Sequence, residues 1–428
     1  MAGCAAPGPI SSPLQTPAIS APAISAPAIS APAISAPAIS ATTRPVILIS
    51  LDGFRADYLD RGLTPNIAAL AASGVRATAM RPVFPSVTFP NHYSLVTGLY
   101  PDRHGIVNNT MEDPGIPGVR FSLSNHDALA DERWWDEATP LWITAERQGL
   151  GTATMFWPGS DSVIHGYRPN YWQTYDKTVP AETRVDKVLG WLDLTLGKRP
   201  SFLTLYMEEV DTAGHEDGPD SDGVGRALRV VDGAIGRLID GLRMRGLLDS
   251  VDLIIVADHG MAATARDRVI FLDDWADAKS FRLISGGPFA GIAPEPGHEI
   301  EVARAFLAPH PHVECWRKAD IPPRFHYGAN PRVPPIVCLS EIGWQVATHE
   351  AAAKQKSFNL GQHGYDPADP AMRALFVAHG PDFRQGLVMT KGFDNIDVYP
   401  LMTRLLGLTP EPNDGNPAAL AGILNAGS

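Results

Sequence analysis

Four short, almost wholly apolar runs set the fold class of this chain. They occupy residues 45–51, 202–207, 251–257 and 374–378. Runs this short, apolar at nearly every position, suit strands covered on both faces. Helical signals lie between them. Thr64-Pro65 ahead of residues 66–73 and Gly74 reads as an N-cap, a first-turn proline, a helix and a terminating glycine. Residues 226–241 place Ala227, Val230, Val231, Ile235, Leu238 and Ile239 near helical spacing. Strands alternating with helices predict an α/β domain, with a mostly parallel central sheet and helices on both faces. Residues 265–355 break this rhythm and are rich in proline. They read as a smaller subdomain or cap inserted between the last two core strands.

The first 43 residues follow another rule. From Pro17 to about Ala41 the pentapeptide Ala-Pro-Ala-Ile-Ser repeats almost without interruption. A proline in every repeat forbids a stable helix, so residues 1–43 are expected to be an extended, disordered tether ahead of a catalytic domain at 44–428. Met1-Ala2-Gly3-Cys4 is similar to the end of a bacterial lipoprotein leader, with the cysteine as the lipidated first residue. On that reading the leader was trimmed, Met1 was added, and Cys4 carries a lipid anchor. The other reading is an unmodified cysteine in a tail.

Charge and cysteine usage exclude several functions. The net charge of −12 leaves no basic surplus for a stable nucleic-acid complex, although nucleotides remain open as substrates. No apolar run approaches the roughly 18 residues of a membrane-spanning helix. The three cysteines, Cys4, Cys315 and Cys338, form no CxxC, which argues against a cysteine-based zinc site. Cys315 and Cys338 are read either as a disulfide or as two free buried thiols.

The strand ends carry the chemistry. The first run leads into Asp52-Gly53, the second to Asp211 and His215, and the third to Asp258-His259; His363 precedes the fourth. In open α/β sheets ligands bind beyond the carboxyl ends of the strands, so these distant residues are expected to converge. A lone aspartate after a strand is usually a turn or cap residue, and a lone histidine is usually structural. Recurrence at several strand ends points instead to a shared site. Three carboxylates and three imidazoles exceed one tetrahedral ion and suit two ions with three protein ligands each. Mixed nitrogen and oxygen donors favour zinc over magnesium or calcium. The remaining histidines, His92 among them, show no partner set.

Pro85-Ser86-Val87-Thr88-Phe89-Pro90-Asn91-His92-Tyr93, Thr97-Gly98-Leu99-Tyr100-Pro101, Trp157-Pro158-Gly159-Ser160, Asp258-His259-Gly260-Met261 and His363-Gly364-Tyr365-Asp366 together resemble the nucleotide pyrophosphatase/phosphodiesterase family of the alkaline phosphatase superfamily. The resemblance spans roughly residues 44 to 408 and implies an alkaline-phosphatase-like fold. It implies that Thr88 is the nucleophile. One zinc would be held by Asp52, Asp258, His259 and the Thr88 oxygen, the other by Asp211, His215 and His363. Asn109 would hydrogen-bond a phosphate oxygen, helped by a backbone N–H near Phe89, with its neighbour Asn108 a weaker candidate. No cysteine lies near Thr88, which separates the chain from sulfatases with a cysteine-derived formylglycine.

The expected activity is zinc-dependent hydrolysis of nucleoside triphosphates and dinucleotides to nucleoside monophosphates through a covalent threonine intermediate. A diester carries one substituent beyond the leaving group and needs a pocket for it. Phe89, Trp157, Tyr175 and Tyr206 are candidates to line that pocket or stack on a base, against the simpler reading that each is core. The alternatives are a phospholipid diesterase and a metal-dependent phosphomonoesterase or phosphonate hydrolase on the same scaffold. A nucleotide-destroying hydrolase is safest outside the cytoplasm, so a periplasmic or envelope-anchored location in a bacterium is expected.

Overall fold

The apolar run after Arg44 forms the strand Val46–Leu51, and every residue of it is buried. It runs parallel to Phe202–Met207 on one side and to Asp252–Val256 on the other. Both neighbours are buried throughout. These three strands are the centre of an eight-stranded sheet in a computed structural model. Across the sheet the order is Leu387–Met389, Val75–Ala77, Phe376–His379, Asp252–Val256, Val46–Leu51, Phe202–Met207, Thr152–Met155 and Tyr171–Trp172. Only Phe376–His379 runs against its neighbours. The structure describes Met1, Gly3, residues 44–355 and residues 357–427. The repeat tether and Cys4 lie outside the described residues.

Helices Pro65–Ser73, Ala181–Leu192 and Asp222–Met244 pack against one another in one layer, and Thr88–Thr97, Leu141–Arg147 and Val398–Leu405 in another. Two details differ from the sequence reading. Thr64 precedes the first of these helices but its side chain makes no capping bond. The Asp232 carboxylate, on the long helix, accepts from Asn66 N at 3.3 Å and Ile67 N at 2.9 Å and supplies the cap from outside. Val230 is 45% exposed, because the buried stripe of that helix runs instead through Val224, Leu228, Val231, Ile235, Leu238 and Leu242.

Between Asp252–Val256 and Phe376–His379 the chain builds a second, four-stranded antiparallel sheet. Its order is Phe281–Ser285, Phe289–Pro294, Ile336–Ser340 and Val313–Arg317. Helix Glu299–Phe306 adds Val302 and Phe306 to a small apolar core of its own with Phe281, Ile292, Ile336 and Val346. Cys315 and Cys338 face each other across two paired strands and form a disulfide. Of the two readings of this pair, the structure has the bridge.

Candidate active site

The segments after the three central strands deliver five side chains to one place, and a short separate strand adds a sixth. Asp52 directly follows Val46–Leu51. Asp258 and His259 follow Asp252–Val256. Asp211 and His215 sit four residues apart on helix Glu209–Asp217, which puts them on one face. His363 follows the short strand Gly361–Gln362. They fall into two triads, Asp52 with Asp258 and His259, and Asp211 with His215 and His363. Within each triad one donor atom per residue lies within 4.8 Å of the others. The rings of His259 and His363 stack at 3.6 Å and join the triads. Gly53 is needed for this convergence: it has φ of +67°, and a Cβ there would meet Asp211 Cα at 2.9 Å.

Whether this cluster fits metal ions is settled by its protons. His215 Nδ1 lies 2.9 Å from Gly361 O, His259 Nδ1 2.9 Å from Gly260 O, and His363 Nδ1 3.0 Å from Ser86 O. A carbonyl only accepts, so each Nδ1 carries the proton and each Nε2 presents a lone pair. Those lone pairs face other acceptors: His363 Nε2 is 3.2 Å from His215 Nε2, and His259 Nε2 is 2.9 Å from Asp258 Oδ2. Asp52 Oδ1, Asp211 Oδ1 and Asp258 Oδ2 are buried without a hydrogen-bond partner. Burial, then the charges of Asp258 and Asp211, push the Asp52 carboxyl well above the usual carboxylate range. Converging lone pairs and crowded carboxylates are the donor set of a cation site, and the residues fit metal ions.

Thr88 is the first residue of helix Thr88–Thr97, with Oγ1 3.5 Å from His259 Nε2. Asn109 approaches the same helix end, where its Oδ1 accepts from Phe89 N at 2.8 Å. That bond shows which N–H near Phe89 is not the free donor. The Phe89 N–H is occupied, Pro90 has none, and the N–H of Thr88 is the donor left at this helix end. Asn109 keeps its Nδ2 for a ligand.

A cleft of about 640 Å³ opens beside Asp52, Thr88 and Asp211, and Phe89, Trp157, Tyr175 and Tyr206 all line it. Their situations differ. Tyr175 is 41% exposed and Tyr206 only 9%. The Tyr206 hydroxyl donates to Asp52 Oδ2 at 2.6 Å. Trp157 is buried and its Nε1 donates to His92 O. A second groove, of about 830 Å³, lies on the His215 and His363 side, between Asn109 and the inserted sheet.

His92 is the residue that sequence reasoning missed. It is fully buried, with Nε2 2.8 Å from Ser50 Oγ and Nδ1 2.9 Å from Thr88 O and 3.4 Å from Asp258 Oδ2. It ties the Thr88 turn to the first strand and to one triad. Its spacing of four residues from Thr88 on a helix was the available signal. Arg184, also buried, donates to both Glu208 oxygens and to Tyr206 O beneath the cleft.

An alkaline-phosphatase-like fold whose strand ends hold these two triads defines a metal-assisted hydrolase. Residues 46–366 match the family model described as type I phosphodiesterase / nucleotide pyrophosphatase. The chain belongs to that family, and it is a phosphoric diester hydrolase. It is 39% identical over 381 residues to an uncharacterised pyrophosphatase/phosphodiesterase of Schizosaccharomyces pombe, covering 86% of this chain and 78% of that one. It is 41% identical to human ectonucleotide pyrophosphatase/phosphodiesterase family member 1 over 394 residues, which is 89% of this chain; the chain spans only 42% of that relative's length. Among solved structures, murine ectonucleotide pyrophosphatase/phosphodiesterase 5, an inactive threonine-to-alanine variant in complex with AMP, superposes with a TM-score of 0.85 at 39% identity, covering 89% of this chain and 100% of that one.

Proposed function

We propose that the protein hydrolyses nucleotide phosphodiesters and pyrophosphates, releasing nucleoside monophosphates, with Thr88 as the nucleophile and two zinc ions as cofactors. The observation that carries this reading is the position of Thr88 Oγ1. It sits at a helix N-terminus beside His259 and opens on the same cleft as Asp52 and Asp211. Three donors in each triad, mixing imidazole and carboxylate, suit one zinc each with positions left for substrate. When bound, the ions supply positive charge to the attacking and departing oxygens.

The protein's own groups do the rest. Thr88 Oγ1 forms a bond to phosphorus as the bond to the leaving oxygen breaks, giving a phosphothreonine diester. Water then breaks the Thr88 Oγ1–phosphorus bond and frees the monophosphate. The Thr88 N–H and Asn109 Nδ2 are placed to donate to a non-bridging oxygen whose charge grows in each step. His92 holds the Thr88 carbonyl and so the helix turn that carries the nucleophile. Phe89 and the half-exposed Tyr175 offer aromatic surface for a base; Trp157 and Tyr206 form the floor. The AMP complex of the murine relative supports a nucleotide.

Residues 44–428 form the catalytic domain in this proposal, and 1–43 its spacer. An extracytoplasmic location is supported by the Cys315–Cys338 disulfide, since such bridges persist in oxidising compartments.

The test is purified enzyme on the nitrophenyl ester of a nucleoside monophosphate, on nitrophenyl phosphate and on nitrophenylphosphorylcholine, before and after chelation and zinc return. A preference for the nucleotide diester, lost on chelation and restored by zinc, is expected. A monoester preference would move the reading to a phosphatase, and a choline ester preference to a phospholipid diesterase.

A further inference from the structure

The inserted sheet approaches the site beside Asn109. Asn109 begins a short hairpin of strands Thr110–Glu112 and Arg120–Ser122. Strand Phe281–Ser285, at the edge of the inserted sheet, is stitched to the residues around that hairpin three times. Arg282 Nη1 pairs with the Glu112 carboxylate at 2.9 Å. Arg120 Nη2 donates to Ile284 O. Asn108 Nδ2 donates to Ser285 Oγ at 2.9 Å. The first contact is at the surface and the other two are part-buried, with the Asn108 side chain itself buried.

The third contact leads toward the site. Asn108 Oδ1 accepts from Asn109 N at 2.7 Å, and Asn109 Oδ1 accepts from Phe89 N at 2.8 Å. Ser285 Oγ is itself fixed, since it also accepts from Gly291 N at 3.1 Å on the neighbouring strand. A chain of four hydrogen bonds therefore runs from Gly291 through Ser285, Asn108 and Asn109 to Phe89, the residue after Thr88. Each Asn108 polar group is committed along it, so the side chain has one orientation, and Asn109 inherits a fixed backbone N–H.

We infer that Ser285, acting through Asn108, is a positioning residue for Asn109, and that the inserted sheet serves to hold the Asn109 amide at the helix end beside Thr88. This rests on the reading of Asn109 as a donor to the substrate phosphoryl group. A donor gains catalytic value by being fixed before the reaction, and small displacements are costly. The contacts of Glu112 and Arg120 hold the hairpin, and the part-buried link from Asn108 to Ser285 carries that anchoring to the residue next to Asn109.

The experiment uses the full chain and the two phosphorothioate diastereomers of a nitrophenyl nucleotide diester, beside the ordinary diester. In Ser285→Ala, kcat is expected to fall about tenfold with KM little changed, and the preference between the diastereomers to shrink. Ser285→Thr, which keeps the hydroxyl, should restore both. Asn109→Ala should lose more, and adding Ser285→Ala to it should cost nothing further. A Ser285→Ala enzyme with wild-type kcat and diastereomer preference, next to an impaired Asn109→Ala, would overturn the inference alone. So would additive losses in the double variant, because Ser285 would then act elsewhere. An Asn109→Ala enzyme with full activity would remove the reading of Asn109 and this inference with it.

Discussion

The Tyr206 hydroxyl donates to Asp52 Oδ2 at 2.6 Å, while Asp52 Oδ1 has no hydrogen-bond partner. One carboxylate oxygen is spoken for and the other is left to face His259. The tyrosine therefore decides which way the aspartate points. Tyr206→Phe keeps the ring and removes the donor. Metal affinity at the Asp52 triad should fall about 10- to 100-fold, the usual cost of losing a group that orients a ligand. Competition with a coloured chelator checks this; unchanged affinity would show that Asp52 needs no such guide.

Thr88→Ala should lower turnover of the nitrophenyl diester by more than about 10⁴-fold while metal content holds, because the six triad side chains remain. Thr88→Ser keeps an attacking oxygen and should retain measurable turnover. Acid quench of wild-type enzyme with labelled substrate should leave label on Thr88. Turnover near wild type in Thr88→Ala would reassign the nucleophile.

Far from the site, Asp252 opens the strand Asp252–Val256. Burial, opposed by a hydrogen bond from the Asp382 N–H and reinforced by the Asp382 charge, pushes its carboxyl up to about 7. Its unfolded value is about 3.9. The folded state binds this proton more tightly, so the stabilisation is full below the unfolded value and is lost as pH rises through about 7. Thermal melts from pH 5 to pH 8 should show this loss. Asp252→Asn should flatten it, with the largest gain over wild type at pH 8. An equal pH slope in both proteins would place the titrating group elsewhere.

Cys315 and Cys338 are 23 residues apart in sequence and close the loop that connects strands Val313–Arg317 and Ile336–Ser340 of the inserted sheet. The double variant Cys315→Ser, Cys338→Ser should lose about 3 kcal/mol in unfolding of that unit. Urea titration followed by tryptophan fluorescence reads this through Trp316 and Trp344. A curve superimposable on wild type would mean that the sheet is held by its apolar core alone.

The sheet was legible because its central strands are buried on both faces and leave continuous apolar runs. Most of the ligand set was legible for the same reason, since Asp52, Asp258 and His259 directly follow two of the runs and Asp211 and His215 come soon after a third. What sequence concealed depends on distant partners. Thr64 looks like a cap, but Asp232 on another helix does the capping. Tyr206 looks like a base-stacking residue, but its hydroxyl belongs to Asp52. His92 looked like any core histidine because Ser50 and Asp258 reach it from other strands. Val230 fits a helical stripe that the fold rotates toward water. Which N–H near Phe89 stays free was hidden too, because no local pattern announces that Asn109 turns its carbonyl toward that of Phe89 itself.

The wall of the cleft and the metal triads come from different stretches of chain. Asp52, Thr88, Phe89, Tyr206, Glu208, Asp211 and Thr212 line the cleft at the site itself; the other lining residues fall between Leu123 and Thr178, where none of the six triad residues lies. Most of the outer wall is thus separate in sequence from the metal donors. On the proposed reading, a library confined to the exposed wall positions, such as Leu123, His126, Thr174, Tyr175 and Lys177, should alter substrate choice without touching a single metal donor.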